Sequence, residues 1–97
     1  MENQHKTALS KCNLFIKKNI TTIGEVLDIL LHNGCLKWEE RSKIGQEKSI
    51  DEQCQILLEI LIRRGGTCYQ CFLDTLYISG NKHIAEEIQN ATAKIGK

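Results

Sequence analysis

Apolar positions recur along the chain at helical spacing, and short signals mark where helices begin and end. Three pairs match the capping box, in which a hydroxyl residue is followed three positions later by Glu or Gln: Thr22 with Glu25, Ser49 with Glu52, and Thr67 with Gln70. The two side chains of such a pair satisfy backbone amides that the first turn leaves unpaired. Glycines stand where left-handed helix ends are expected, at Gly34, Gly65 and Gly80. The sequence therefore predicts helices over about 22–33, 50–64 and 68–79.

Within each of these segments the apolar residues fall on one side of a helix, because positions three and four apart share a face. The three stripes are Ile23, Val26, Leu27, Leu30 and Leu31; Ile50, Cys54, Leu57, Leu58 and Leu61; and Tyr69, Phe72, Leu73 and Leu76. The second segment is so rich in apolar residues that its helix is expected at the centre of the fold.

Three further helices follow from shorter patterns, over about 6–19, 37–45 and 82–93. In the first, Leu9, Cys12 and Ile16 fall together while Leu14 and Phe15 point elsewhere, which predicts a kink or a wide buried face. No segment alternates with period two, so strands are not expected. Six short helices with short connections make an all-α bundle, and 97 residues allow one domain, residues 1–97.

Charge and hydropathy narrow the classes of function. The formal net charge of +1 gives no reason to expect nucleic-acid or membrane binding, since both need concentrated positive charge. The longest apolar run, residues 56–62, is interrupted by Glu59 and is too short to span a bilayer. No signal-peptide pattern is visible at the N-terminus, so a cytoplasmic protein is expected.

The five cysteines suggest a chemical alternative. In a reducing compartment they are expected as free thiols that fill the core. Cys68 and Cys71 nevertheless form a C-x-x-C at a predicted helix start, the placement used by redox-active thiols. A zinc site needs four ligands, and Cys35, Cys54 or His83 would join only by chance geometry. A small zinc or redox protein using Cys68 and Cys71 thus remains the alternative, although no strand precedes the motif and no metal or cofactor is expected.

Enzyme signatures are not found in the sequence. Residues 63–66 lack the spacing of a phosphate-binding glycine loop, and the three histidines pair with no recognisable nucleophile. No catalytic residue is therefore assigned, and the chain is expected not to be an enzyme. A helix-turn-helix nucleic-acid binder is disfavoured by the neutral charge and by the lack of a basic recognition helix.

Two stretches carry a family resemblance. Residues 33–40, Asn-Gly-Cys-Leu-Lys-Trp-Glu-Glu, resemble the junction between the second and third helices of caspase recruitment domains (CARDs). Residues 57–65, leucine-rich and ending Arg-Arg-Gly, followed by the aromatic and leucine residues of 69–76, are similar to that family's fourth and fifth helices. The resemblance covers about 6–90. It implies a six-helix antiparallel Greek-key bundle, the death fold, with a bent first helix.

The resemblance also implies homotypic binding, in which an acidic patch on the second and third helices of one CARD meets a basic patch on the first and fourth helices of another. On the acidic side, Asp28 and Glu40 match family positions, with Glu25 and Glu39 beside them. The basic side departs from the pattern, because Asp51, Glu52 and Gln55 stand where basic residues are often found. The basic candidates are instead Lys11, Lys17, Lys18, Arg63 and Arg64.

Two apolar residues are candidates for the same interface. Ile29 lies beside the charged face of its helix rather than in the apolar stripe. Trp38 lies about 120° around its helix from Ile44, which is expected to face the core, so Trp38 is predicted to be partly exposed and to anchor a partner. The alternative is a tryptophan packed across the preceding helix junction.

The sequence thus indicates a protein-interaction module of apoptotic or inflammatory and innate immune signalling. The implied roles are adaptor, inflammasome-type sensor or caspase-recruiting domain, and the implied partner is another CARD-containing protein. Self-oligomers or filaments remain open, and self-assembly would use Lys17, Lys18 or Arg64. A distinct partner is expected to bind better than a second copy, since this chain has few basic residues where the family carries its basic patch.

Overall fold

The computed structural model describes residues 3–64 and 66–95, and within these ranges helices are the only regular secondary structure. In chain order they are α1 (Asn3–Lys11), α2 (Asn13–Asn19), α3 (Ile23–His32), α4 (Trp38–Gly45), α5 (Ile50–Arg63), α6 (Gly66–Ile78) and α7 (Lys82–Ile95). The prediction of an all-α bundle is confirmed.

The first predicted helix is bent, which explains why seven helices replace the expected six in the described residues. The break falls at Cys12, with φ −86° and ψ 1°. Backbone hydrogen bonds still run through it, from Cys12 N–H to Ala8 O and from Ile16 N–H to Cys12 O. Since Leu9, Cys12 and Ile16 are all buried, α1 and α2 keep one apolar stripe facing the core across the bend.

Of the three predicted helix caps, the structure confirms the one at Ser49. The Ser49 hydroxyl accepts a hydrogen bond from Glu52 N–H at 3.1 Å, as a cap should. The cap at Thr22 was wrong, because Thr22 adopts a left-handed conformation with φ 51° and its hydroxyl donates to the backbone of Thr21 and Ser79. Thr67 does not precede a helix, since α6 already begins at Gly66.

Two of the predicted glycine stops are confirmed. Gly34 and Gly80 have φ of 82° and 84°, the left-handed conformation that glycine adopts without steric cost. After each, the helix closes in a Schellman motif, with Cys35 N–H donating to Leu30 O and Asn81 N–H donating to Leu76 O. The third predicted stop, Gly65, lies outside the described residues.

The apolar stripes converge on one core, formed by most of the residues that the periodicity selected. One position was wrong: Ile50 is 48% exposed, because it opens α5 at the edge of the bundle. Helix α5 packs against α1, α2 and α4, which places it centrally as predicted. Helix α3 packs against α4 and α6, and α7 packs against α1 and α6.

A buried side chain fastens the start of α3 to the far end of the sequence. Asn81 is fully buried, and its Oδ1 accepts hydrogen bonds from Thr21 N–H and from the Thr21 hydroxyl. Its amide nitrogen donates to Thr21 O and to the Ser79 hydroxyl. This network fixes where α3 enters the bundle, and therefore where the side chains of its outer face are presented.

Candidate functional site

The four predicted acidic residues lie on two adjacent helices. Glu25 and Asp28 lie on α3, and Glu39 and Glu40 lie in the first turn of α4. The turn at Gly34 and the buried Leu36 fold α4 back against α3. Three of the carboxylates are exposed and Glu40 is half-buried. We call these four residues the acidic face.

Two carboxylates of the acidic face are held by arginines of the same chain. Arg41 Nε donates to Asp28 Oδ1 at 2.9 Å, which ties α4 to α3. Arg64 donates to Glu40 Oε2 and to the backbone oxygen of Cys35, which ties the end of α5 to the α3–α4 junction. Glu40 Oε1 also accepts from Lys37 N–H at 2.9 Å. Glu25 and Glu39 form no ion pair with any other described residue.

An apolar cleft opens beside this face. It has a volume of about 530 Å³ and is lined by Glu25, Asp28, Ile29, His32, Asn33 and Ile78. Ile29 is half-buried in it, and Ile78, the last residue of α6, is 68% exposed. Ile78 was not among the predicted site residues, although its position outside the apolar stripe of its own helix indicates an exposed side chain.

Trp38 lies at the start of α4, where 71% of its surface is exposed. The prediction that it is at least partly exposed is confirmed, and the alternative of a packed indole is wrong. Exposure alone does not make it an anchor, so that role stays a prediction.

The predicted basic residues divide between two places. Lys11, Lys17 and Lys18 lie on α1 and α2, whereas Arg63 and Arg64 lie at the end of α5. Lys17 Nζ donates to Gln55 Oε1 at 2.8 Å. Arg63 lies eight positions after Gln55, roughly 12 Å further along the helix axis. The structure therefore does not gather the five residues into one patch.

A small basic ridge does form on α1 and α2. Lys11 and Lys18 are exposed, and Leu14, three residues from one and four from the other, is 67% exposed. Residues at these spacings share a helix face, although the bend at Cys12 intervenes. We call Lys11, Leu14 and Lys18 the basic ridge.

The cysteines are free thiols, and Cys12, Cys35 and Cys54 are buried. Burial raises the pKa of all three thiols, with that of Cys54 reaching about 11. The pKa of Cys35 is raised further by hydrogen-bonding contact with the thiols of Cys71 and Cys68. Over residues 3–64 and 66–95, no three His, Cys, Asp or Glu side chains are arranged to hold a metal ion.

No helix in the described part of the chain is long and apolar enough to cross a membrane.

Comparison with known proteins agrees with the fold. The family model described as "Caspase recruitment domain" matches residues 6–91, which is most of the chain. No curated protein matches the sequence. The family consists of modules that bind other CARDs rather than catalytic domains. With an all-helical bundle and a match over most of its length, the chain belongs to the caspase recruitment domain family.

Proposed function

We propose that this domain binds the CARD of a distinct signalling protein through the acidic face and its cleft. It would act as an adaptor, sensor or caspase-recruiting module of apoptotic or inflammatory signalling in the cytoplasm. Family membership supplies the homotypic character of the binding. The choice of face rests on the geometry of α3 and α4.

One observation supports this choice above the others: the cleft combines apolar surface with a carboxylate rim. Ile29 and Ile78 offer surface that is excluded from water when a partner covers it, which is the favourable part of binding. Glu25 and Asp28 lie beside these residues. They attract a basic partner and disfavour an acidic one, so they contribute selectivity and speed of encounter more than affinity.

The hydrogen bonds within the acidic face indicate which carboxylates remain available. Both oxygens of Glu40 already accept hydrogen bonds within the chain, whereas Asp28 uses one oxygen. Glu25 and Glu39 are exposed and form no ion pair with a described residue. We therefore propose Glu25, Asp28 and Glu39 as partner-binding residues, with Glu40 mainly holding the junction on which they stand.

The proposal is tested by charge reversal away from Glu40. In Glu25→Arg and Asp28→Arg chains, binding to CARDs with basic faces should fall at least tenfold, and the double variant should lose it. Helical circular dichroism and Tm should remain near wild type, because exposed ion pairs contribute under about 1 kcal/mol. Titration calorimetry against a panel of purified CARDs measures the effect.

Glu86→Arg is the matched control, since Glu86 is exposed on α7 and makes the same change in net charge. Equal losses in Glu25→Arg and Glu86→Arg chains would show that only bulk charge matters. Wild-type affinity of the Glu25→Arg, Asp28→Arg chain for every partner in the panel would refute the acidic face as a binding surface.

Trp38 provides an independent optical test. As the sole tryptophan and 71% exposed, it should show emission typical of a wet indole in the free protein. If Trp38 anchors the partner, binding should shift this emission to shorter wavelength. A tryptophan-free partner makes the signal unambiguous, and unchanged emission in a saturated complex would exclude the anchor role.

A further inference from the structure

Helices α1 and α2 carry positive charge without any negative charge. They contain four lysines and no Asp or Glu, whereas the described residues that follow them contain eight Lys or Arg and eleven Asp or Glu. The net charge of +1 for the whole chain therefore conceals a cationic segment joined to an acidic remainder. Bulk charge gives no reason to expect an anionic partner, but this segment does.

Leu14 lies at the centre of the exposed face of the two helices and is 67% exposed. Lys11 is three residues before it, and Lys17 and Lys18 are three and four residues after it, so all three lysines are its neighbours on the helix surface. Backbone hydrogen bonds pass through the bend at Cys12, and the buried stripe of both helices lies on the opposite side. The face is thus an apolar side chain surrounded by ammonium groups.

A groove between α1 and α7 extends this face. It has a volume of about 300 Å³, and Lys11 and Lys94 line it from the two helices. Glu87 also lines the groove and weakens its attraction for anions. Neither lysine forms an ion pair with a described residue, so both ammonium groups are available to an anion that enters the groove.

We propose that this face docks the domain on the surface of a membrane that contains anionic phospholipids. In the docked state Leu14 enters the interfacial region of the bilayer, and the lysines around it contact the phosphates and carboxylates of the headgroups. Lys11 and Lys94 hold one headgroup in the groove. This binding goes beyond the recognition of another CARD, and it uses no residue of the acidic face.

The lysines favour a lipid surface over a folded protein or a nucleic acid. Lys11 and Lys18 form no ion pair with a described residue, and a protein with fixed carboxylates has to immobilise them at a cost in side-chain entropy. Lipid headgroups move and adapt to mobile lysines, and the acyl boundary accepts an exposed leucine. Nucleic-acid recognition relies on arginine and on stacked aromatic rings, and α1 and α2 contain no arginine.

Docking leaves the acidic face accessible. Helices α1 and α2 pack on α5 and α7, whereas α3 packs on α4 and α6, so the two surfaces belong to different sets of helices. An anionic bilayer attracts the first surface and repels the carboxylates of the second. The charge distribution therefore orients the domain with the acidic face away from the membrane.

The test is sedimentation of the full chain with vesicles of phosphatidylcholine, either alone or with about one-third phosphatidylserine. We expect the chain to bind the mixed vesicles at least tenfold more strongly than pure phosphatidylcholine, and the binding should weaken as salt rises. Lys18→Ala should weaken it about fivefold, the effect of one lysine near an anionic surface. Leu14→Ala should weaken it about tenfold, because less apolar surface enters the interface.

Two matched controls lie outside α1 and α2. Lys48→Ala removes another exposed lysine, and Ile78→Ala shortens a side chain that is 68% exposed, nearly the same as Leu14. Both variants should bind the mixed vesicles as the wild type does. Ile78→Ala should weaken binding to a partner CARD whereas Leu14→Ala should not, so the failure of one proposal is distinguishable from the failure of the other. Circular dichroism checks that each variant is folded.

Absence of binding to the mixed vesicles at low salt would overturn the proposal. Equal losses in Lys18→Ala and Lys48→Ala chains would do the same, since bulk charge would then explain the binding. Release of the chain by millimolar glycerophosphoserine would identify a pocket for a small phosphate ester in place of a membrane surface. Tighter binding of the same face to a duplex oligonucleotide, or to a CARD with an acidic face, would assign it to a nucleic acid or a protein instead.

Discussion

The acidic face and the basic ridge both carry charges of one sign next to exposed apolar residues. They differ in how far the charged side chains are fixed by other residues of the chain. On the acidic face, Arg41 and Arg64 fix two of the four carboxylates. On the basic ridge, neither Lys11 nor Lys18 forms an ion pair with a described residue. Lys17, next to the ridge, donates to the neutral Gln55.

This difference bears on what each surface can do. A lysine side chain that is free in solution loses roughly 1.5–2 kcal/mol of conformational entropy when it is immobilised. A surface whose side chains are already fixed loses less conformational entropy on binding. Asp28 and the α3–α4 junction that Glu40 holds are therefore pre-organised, whereas Glu25 and Glu39, like the lysines of the basic ridge, still lose side-chain freedom when a partner binds.

Pre-organisation extends to the backbone below the acidic face. Helix α3 is held at its start by Asn81 and at its end by the closure at Gly34. Arg64 then fixes the junction to α4 through the Cys35 carbonyl oxygen. If these supports matter more than contacts at the basic ridge, removing one of them should destabilise the domain more than changing a ridge lysine.

The largest effect is expected for Asn81→Ala. The change leaves Thr21 N–H and its neighbours without partners in a buried site, and unsatisfied buried groups cost about 1–3 kcal/mol each. We expect the free energy of unfolding to fall by about 3 kcal/mol in urea denaturation. Asn90→Ala, at an exposed site on α7, should stay within about 0.5 kcal/mol. Similar losses for the two variants would show that Asn81 does not hold the start of α3.

Replacing Arg64 should lower the stability of the domain more than replacing Arg41. Arg64 and Glu40 are each 24% exposed, whereas Asp28, the partner of Arg41, is 68% exposed. Removing one member of a shielded pair leaves a poorly solvated charge, so Arg64→Ala should lower the unfolding free energy by about 2 kcal/mol. Arg41→Ala should cost under about 1 kcal/mol. Thermal and urea unfolding of both variants compare them, and a larger loss for Arg41→Ala would reverse our ranking of the two supports.

Much of the fold was predictable because helical periodicity is a local property. Spacings of three and four residues identified Val26, Leu27 and Leu30 as core, and all three are buried. The left-handed stops at Gly34 and Gly80 were equally local, since glycine is suited to a positive φ. Membership of the family and the bend of the first helix were expected and are confirmed.

What sequence reasoning missed depends on partners far apart in the chain. Thr22 looked like a helix cap, but its hydroxyl bonds the backbone of Ser79, 57 positions away. Arg64 was assigned to a basic surface, yet it pairs with Glu40, 24 positions away. Periodicity tells which side of a helix faces inward, but not which neighbour it meets.

A smaller effect, which depends on pH, concerns the buried thiol of Cys54. Burial, reinforced by Asp51, raises the pKa of Cys54 from 9.0 to about 11, while Lys17 opposes the rise. The unfolded chain therefore loses this proton at lower pH than the folded one. The resulting stabilisation is complete below pH 9 and is lost as pH rises towards about 11.

Between pH 8 and 10 the unfolding free energy of wild type should therefore fall by about 1.3 kcal/mol more than that of Cys54→Ala. Only the difference in slope is informative, since the variant also changes packing at every pH. Urea denaturation at both pH values measures it. Parallel pH dependences for the two chains would mean that Cys54 ionises equally in the folded and unfolded states.

The smallest effect on stability is expected at the basic ridge. Lys18→Glu reverses an exposed charge that has no ion pair among the described residues, so the unfolding free energy should change by less than about 0.5 kcal/mol. Binding through the acidic face to a distinct CARD should be unaffected.

Self-association, if it joins the ridge of one copy to the acidic face of the next, should weaken by less than about fivefold in Lys18→Glu, because each exposed charge pair contributes little. Glu25→Arg should weaken it through the opposite surface.

A mixture of the two variants should then restore assembly, because the reversed ridge of one chain meets the reversed face of the other, and the remaining contact is wild type on both sides. Sedimentation at several salt concentrations follows all three samples, and recovery should diminish as salt screens the charges. If the mixture assembled no better than either variant alone, the ridge and the acidic face would not be complementary surfaces.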